Sequence, residues 1–313
     1  MARAFIFPGQ GSQAVGMGKA VAEAFASARR VFQEVDDALS RRLTRLMWDG
    51  PESDLTLTEN AQPAIMAVSL AIVRVLQEEA GLDLSRDARL VAGHSLGEYS
   101  ALCAAGAFTL ADTARLLRTR GRAMQAAVPV GEGAMSVLLG LEIGDAEAAC
   151  AESRDLGLVV VANDNAPGQI VISGKKAAVD KAGELAKTKG ARRVLPLAVS
   201  APFHSPLLAP AAGAMREALD AVVIRPPAVP IVANVTAAQT AEPEFIRRLL
   251  VEQVTARVRW RESVASFRAL GVGMTVEAGG NKVLTGMVKR IDKDMETVTL
   301  DSPADIEAFA RTL

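Results

Sequence analysis

The segment Leu90-Val91-Ala92-Gly93-His94-Ser95-Leu96-Gly97 constrains the fold more than any other part of the chain. A short apolar strand runs into Gly-x-Ser-x-Gly, and a helical pattern opens after Ser95. A serine on such a strand–turn–helix elbow has its Oγ exposed at the C-terminal edge of a sheet. The glycines keep side chains away where the backbone folds on itself. The elbow therefore predicts an α/β architecture with a mostly parallel sheet and Ser95 as nucleophile. The rest of the chain agrees, because strands and helices alternate from the start. Residues 3–7 read as a buried strand, followed at once by the turn Pro8-Gly9-Gln10-Gly11-Ser12-Gln13. A helix is predicted over 60–80, with Thr58 as its N-cap, Pro63 in its first turn and Gly81 as its stop. Another runs from its cap Thr109 to about residue 127.

Between about 128 and 197 the texture changes. Strands are predicted over 133–141, 158–162, 169–173 and 192–197, and helices over 145–153 and 175–189. The order β-α-β-β-α-β is that of a ferredoxin-like module. The expectation is a small inserted subdomain at 128–197 and a discontinuous large subdomain made of 1–127 and 198–313. Beyond the insert, helices are expected over 206–222, 243–253 and 260–270, and strands over 229–233, 274–277 and 297–300.

Charge narrows the partners. Lys+Arg at 35 against Asp+Glu at 36 leaves a net charge of -1, without the basic surplus that nucleic-acid binding needs. The apolar stretch at the N-terminus is too short for a signal sequence. The longest uncharged run, between Arg193 and Arg216, is broken by Pro196, Pro202, Pro206 and Pro210, so no membrane helix is expected. Cys103 and Cys150, both in Ala-rich surroundings, read as buried reduced thiols of a cytoplasmic protein, with no disulfide framework or zinc site. A monomer is the default expectation.

A serine nucleophile needs a base. The chain has two histidines. His94 immediately precedes the nucleophile, where the sharp turn sends the two side chains in different directions. His204 lies in Ser200-Ala201-Pro202-Phe203-His204-Ser205-Pro206, a loop stiffened by its prolines. His204 is therefore the expected base. An oxyanion hole needs two backbone N–H groups aimed at one point. Leu96, opening the helix after the nucleophile, offers one, and the Gly9-Gln10-Gly11 turn offers a second. That turn lacks both the G-x-G-x-x-G spacing and a Walker lysine, which makes nucleotide binding the weaker reading.

Five dispersed motifs, in order along nearly the whole chain, resemble the malonyl-CoA:acyl carrier protein transacylase family. They are Gly9-Gln10-Gly11-Ser12-Gln13, the run Gly93 to Tyr99, Arg120-Gly121-Arg122, the stretch from Ala162-Asn163 through Ile172-Ser173-Gly174, and Ala201-Pro202-Phe203-His204-Ser205. The resemblance implies an α/β-hydrolase-like large subdomain with a parallel sheet and an inserted ferredoxin-like small one. By position it implies Ser95 as nucleophile, His204 as base, and the amides of Gln10 and Leu96 as oxyanion hole. It further implies Arg120 as the grip on the malonyl carboxylate and a backbone carbonyl of Gln253 orienting the histidine. Asn163 would line the cleft, and Phe203 matches malonyl-type rather than methylmalonyl-type members. A guanidinium suits that task, since it binds a planar carboxylate through two parallel hydrogen bonds. The implied activity is ping-pong transfer of malonyl from malonyl-CoA to the phosphopantetheine thiol of acyl carrier protein for fatty-acid synthesis. No metal or other cofactor is called for.

Other readings remain at this stage: a free-standing polyketide-synthase acyltransferase, a serine hydrolase of esterase type, and a carrier-binding scaffold without chemistry. A hydrolase needs an acidic residue between Ser95 and His204, Asp164 for instance. An acidic carrier protein calls for basic docking residues. Candidates are Lys187, Lys189, Arg192 and Arg193 on the small subdomain and Arg257, Arg259 and Arg261 on the large one.

Overall fold

Phe5 and Phe7 face one side of the first strand, Ala4 and Ile6 face the other, and all four are fully buried. A strand apolar on both faces belongs inside a sheet covered by helices on each side. The computed structural model, which describes residues 1–199 and 201–313, shows that arrangement. Ser200, the first residue of the loop quoted above, lies outside the described residues.

Among the described residues, ten strands form two sheets. They are β1 (Arg3–Phe7), β2 (Leu90–Gly93), β3 (Gly133–Leu139), β4 (Val159–Ala166), β5 (Gln169–Lys175), β6 (Arg193–Pro196), β7 (Ile231–Val232), β8 (Gln239–Thr240), β9 (Met274–Ala278) and β10 (Glu296–Leu300). The larger sheet runs β10-β9-β1-β2-β7-β8, parallel throughout except for the two-residue edge strand β8. Helices Ala26–Leu39, Thr58–Ala80 and Leu110–Ala126 pack on its Phe5 face. Trp260–Ser266 and Val283–Ile291 pack on its Ala4 face. Thr58–Ala80 is buried nearly all round, as a helix enclosed by others must be.

The second sheet takes its strands from residues 133–196. It is antiparallel in the order β4-β5-β3-β6, with helices Ile143–Ala151 and Lys176–Thr188 as its connections. This is the ferredoxin-like pattern that the element order predicted. Leu138, Ile170 and Ile172 meet those two helices. Met135, Ala162 and Val171 join instead the main core, together with Ala201 and Phe203. The small sheet is also tied by backbone to the segment before helix Trp260–Ser266. Asn163 on β4 bridges Val258, with Asp164 N donating to Val258 O at 3.0 Å and Val258 N to Ala162 O at 2.8 Å.

Some expectations need correction. Thr58 is the first helical residue, not the cap; Leu57 holds the cap position, and the Thr58 hydroxyl is engaged in a tertiary contact described below. Pro63 consequently sits in the second turn. The strand expected over 229–233 shrinks to Ile231–Val232, because Pro230 has no N–H to give a ladder and offers only its carbonyl, to Val91 N. The helix expected over 206–222 begins as a single 3-10 turn before Ala209–Asp220, and the one expected to reach residue 270 ends at Ser266. Cys150 is buried, but Cys103 is half-buried. No helix among the described residues is long and apolar enough to cross a membrane.

Candidate active site

Register brings the two loops of the site together. Phe7 at the end of β1 pairs with Gly93 at the end of β2, and His94 N donates to Phe7 O at 3.0 Å. The turn after β1 and the elbow after β2 therefore leave the same edge of the sheet side by side. A Cβ on Gly93 would lie 1.9 Å from Gly97 O, and one on Gly97 would lie 2.2 Å from Phe7 O. Both positions of the motif thus require glycine. Between them Ser95 takes φ 54, the left-handed conformation expected of a nucleophile held on a sharp turn. Within the β1 turn, Ser12 Oγ donates to Gly9 O and Gly11 N donates to Gln13 Oε1, so its own side chains pin it.

Ser95 Oγ lies 2.7 Å from His204 Nε2, and His204 Nδ1 lies 2.9 Å from the main-chain oxygen of Gln253. A carbonyl only accepts, so Nδ1 carries the hydrogen and Nε2 presents its lone pair to the serine hydroxyl. Burial, reinforced by the Arg120 charge, pushes the His204 pKa down to about 3. The imidazole is neutral at physiological pH and able to take a proton. On the other side, Arg120 Nη2 donates to Ser95 Oγ at 3.2 Å and to Gln253 Oε1 at 2.9 Å, while Nη1 donates to Gln62 Oε1 at 2.8 Å. Arg120 is fully buried, and its guanidinium lies over the Tyr99 ring. Neither the Gln10 amide nor the Leu96 amide donates to a protein acceptor among the described residues.

Comparison with known proteins follows the same lines. Residues 4–301 match the acyl transferase domain family. The chain is 44% identical over 311 residues to the malonyl CoA-acyl carrier protein transacylase of Bacillus subtilis, covering 99% of this chain and 96% of that one. The crystal structure of acyl-carrier-protein-S-malonyltransferase from Bartonella henselae superimposes with a TM-score of 0.97 at 55% identity, covering 100% of this chain and 99% of the other. A malonyl-transacylase in complex with a type II polyketide synthase acyl-carrier protein gives 0.96 at 41% identity, with full coverage of both chains. This chain belongs to the malonyl-CoA–acyl carrier protein transacylase family.

Within a transacylase fold, the remaining predicted residues fall as follows. The Gln253 carbonyl faces His204, and Phe203 is buried beside it in the main core. Asn163 is buried on β4 at the bridge to Val258. The β4 side chain that reaches the elbow is Asn165, whose Oδ1 lies 2.8 Å from His94 Nε2. Asp164, the acid weighed for a hydrolase, is buried and accepts both its 2.9 Å bonds from Arg261 Nε, well apart from the histidine's own partner. Four further polar residues join the site: Thr58, which reads from the sequence only as a helix cap, Glu98, which lies in the Gly93 to Tyr99 run without a role assigned by it, and Gln62 and Asn234, which the sequence pattern does not mark. Thr58 donates to Gln10 Oε1, Gln62 donates to Thr58 and accepts from Arg120, and so a relay links Arg120 to the β1 turn. Asn234 accepts from Ser95 N at 2.7 Å and donates to Gly93 O at 2.7 Å. Glu98 accepts from Gln253 and Asn234.

Proposed function

We propose that the protein transfers malonyl from malonyl-CoA to the phosphopantetheine thiol of acyl carrier protein through a malonyl-Ser95 ester, supplying extender units for fatty-acid synthesis. One observation carries this reading: Ser95 Oγ sits between His204 Nε2 at 2.7 Å and the buried Arg120 guanidinium at 3.2 Å. A hydrolase of neutral esters has no use for a buried cation on its nucleophile, whereas a donor with a free carboxylate does. In the first half-reaction Ser95 Oγ attacks the thioester carbon and its proton passes to His204 Nε2. The carbonyl oxygen becomes an oxyanion facing the Gln10 and Leu96 amides, and the C–S bond breaks as His204 returns the proton to the CoA sulfur. In the second half-reaction the carrier thiol gives its proton to His204 and attacks the ester, and Ser95 leaves with that proton. Arg120 turns its two N–H groups from its glutamine partners to the malonyl carboxylate. None of these steps calls for a metal or redox cofactor. We take the enzyme to act in the cytoplasm as a monomer.

The solved malonyl-transacylase with a type II polyketide carrier supports a second destination for the same chemistry. Intact-protein mass spectrometry after brief mixing with malonyl-, methylmalonyl- or acetyl-CoA tests the reaction. A malonyl adduct is expected on the native protein and none on Ser95→Ala. Discharge by fatty-acid versus polyketide carrier assigns the destination. No adduct from any donor on folded protein refutes the proposal.

A further inference from the structure

Glu98 is a carboxylate buried directly behind the elbow, only 2% exposed, in the first turn of helix Gly97–Ala104. An acid there ordinarily serves its own helix. Glu98 instead directs Oε2 at two distant groups: Gln253 Nε2 at 2.7 Å and Asn234 N at 3.2 Å. Each is a hub. Gln253 donates to Ser95 O at 2.9 Å, accepts from Arg120 through its side chain, and turns its main-chain carbonyl to His204. Asn234 clasps the elbow from both sides, accepting from Ser95 N and donating to Gly93 O. An amide side chain has two interchangeable orientations unless its surroundings choose one. The Glu98 oxygen makes that choice together with Ser95 O, which also accepts from Nε2, and with Arg120, which can only donate to Oε1.

We infer that Glu98 is a positioning residue that sets nucleophile, base and carboxylate grip together, acting through Gln253 and Asn234 rather than touching substrate. The part concerning the grip rests on the malonyl-transfer reading; the part concerning Ser95 and His204 does not. The role requires an acceptor at the position of Oε2, not a charge. Glu98→Gln keeps an oxygen there, Glu98→Asp withdraws it by one methylene while keeping the acid, and Glu98→Ala removes it.

The experiment uses the full chain of each variant, with thermal unfolding to verify the fold. Ser95 reactivity is read as the rate of labelling by a fluorophosphonate, which needs only nucleophile and base. The grip is read as the ratio of malonyl to acetyl adduct formed from the two CoA thioesters. The expectation is that Glu98→Gln labels within about threefold of native and keeps the malonyl preference. Glu98→Asp and Glu98→Ala should label at least tenfold more slowly, with the malonyl-to-acetyl ratio also falling at least tenfold. A scaffold role alone would lower both donors equally and leave the ratio unchanged, which overturns the inference. Native rates and ratio in folded Glu98→Asp overturn it too, as does a Glu98→Gln variant as slow as Glu98→Asp. If native protein labels with the fluorophosphonate but takes neither acyl group, the malonyl reading fails while the labelling arm still decides the positioning role.

Discussion

Removing Arg120 is the sharpest perturbation the site allows, because the same cation acts on both Ser95 and His204. Arg120→Ala takes a buried guanidinium, 1% exposed, away from Ser95 Oγ, Gln62 and Gln253. A malonyl carboxylate entering the emptied space would be desolvated without a partner. Breaking a buried charge pair costs about 3–5 kcal/mol, which corresponds to ~10²–10⁴-fold in kcat/KM for malonyl-CoA. Acetyl-CoA carries no carboxylate and escapes that loss, so the preference for malonyl should collapse by the same factor. A second consequence is independent of the donor. Arg120 is, after burial, the leading cause of the depressed His204 pKa. Without it that pKa rises toward its ordinary value, and the acid limb of Ser95 reactivity moves to higher pH. The assay is single-turnover adduct formation with both donors, together with fluorophosphonate labelling between pH 4 and 8. An unchanged malonyl-to-acetyl ratio, or an acid limb that does not move, would refute the reasoning.

Stability should depend on pH through two buried groups of opposite sign. His204, held at about 3, stays neutral in the fold while the unfolded chain takes up a proton below its ordinary value of 6.5. Stability from this group is present above pH 6.5 and lost progressively as pH falls toward 3, by about 1.4 kcal/mol per unit. Burial raises Glu98 to about 7, so it removes stability as pH rises from 4.5 to 7, about 3 kcal/mol in all. Urea midpoints should accordingly show Glu98→Gln gaining on native protein across that interval; a constant difference would contradict the assigned shift. A Cβ at position 121 would lie 2.5 Å from Glu59 Cα, so Gly121→Ala should separate two helices next to Arg120 and cost about 1–3 kcal/mol, measured by denaturant unfolding. Among the described residues, Lys187, Arg192 and Arg193 make no ion pair, whereas Lys189, Arg257, Arg259 and Arg261 are paired to carboxylates. Reversing charge at Arg192 and Arg193 should slow discharge to the acidic carrier and flatten its salt dependence, with adduct formation from malonyl-CoA unaffected.

What could be read from the sequence was what is local. The elbow is defined by five consecutive residues and their flanking strand and helix, and His204 followed because the chain has so few histidines. Arg120, taken by itself, is one more arginine in a helix that also carries Arg115, Arg118 and Arg122; the helical period does not say that only this one is fully enclosed. Glu98 meets Asn234 and Gln253 across separations of 136 and 155 residues, which no spacing rule reaches. Thr58 misled for a chemical reason: a hydroxyl at a helix start suits a cap, but this one is bound to Gln10. The case of Asn163 and Asn165 is geometric. Register shifts between Val161 and Asn163 and between Asp164 and Ala166 break the two-residue alternation of β4, so counting along the strand does not tell which asparagine reaches the elbow.

The bridge between Asn163 and Val258 has a consequence for how the molecule loses activity. Ser95 and Arg120 are mounted on the large sheet and its helices, and His204 sits in the loop that joins the small sheet to that main core. His204 lies on the chain soon after β6, the edge strand of the small sheet, and its orienting carbonyl at Gln253 lies shortly before Val258. The imidazole is thus tied to the small sheet twice, by the chain that leaves β6 and, through Gln253, by the segment that bridges β4 at Val258. Local opening of the small sheet, a partial unfolding well short of the global transition, would loosen the loop that carries His204 before the parallel core unfolds. Inactivation by mild heat or denaturant should then run ahead of the loss of helical signal.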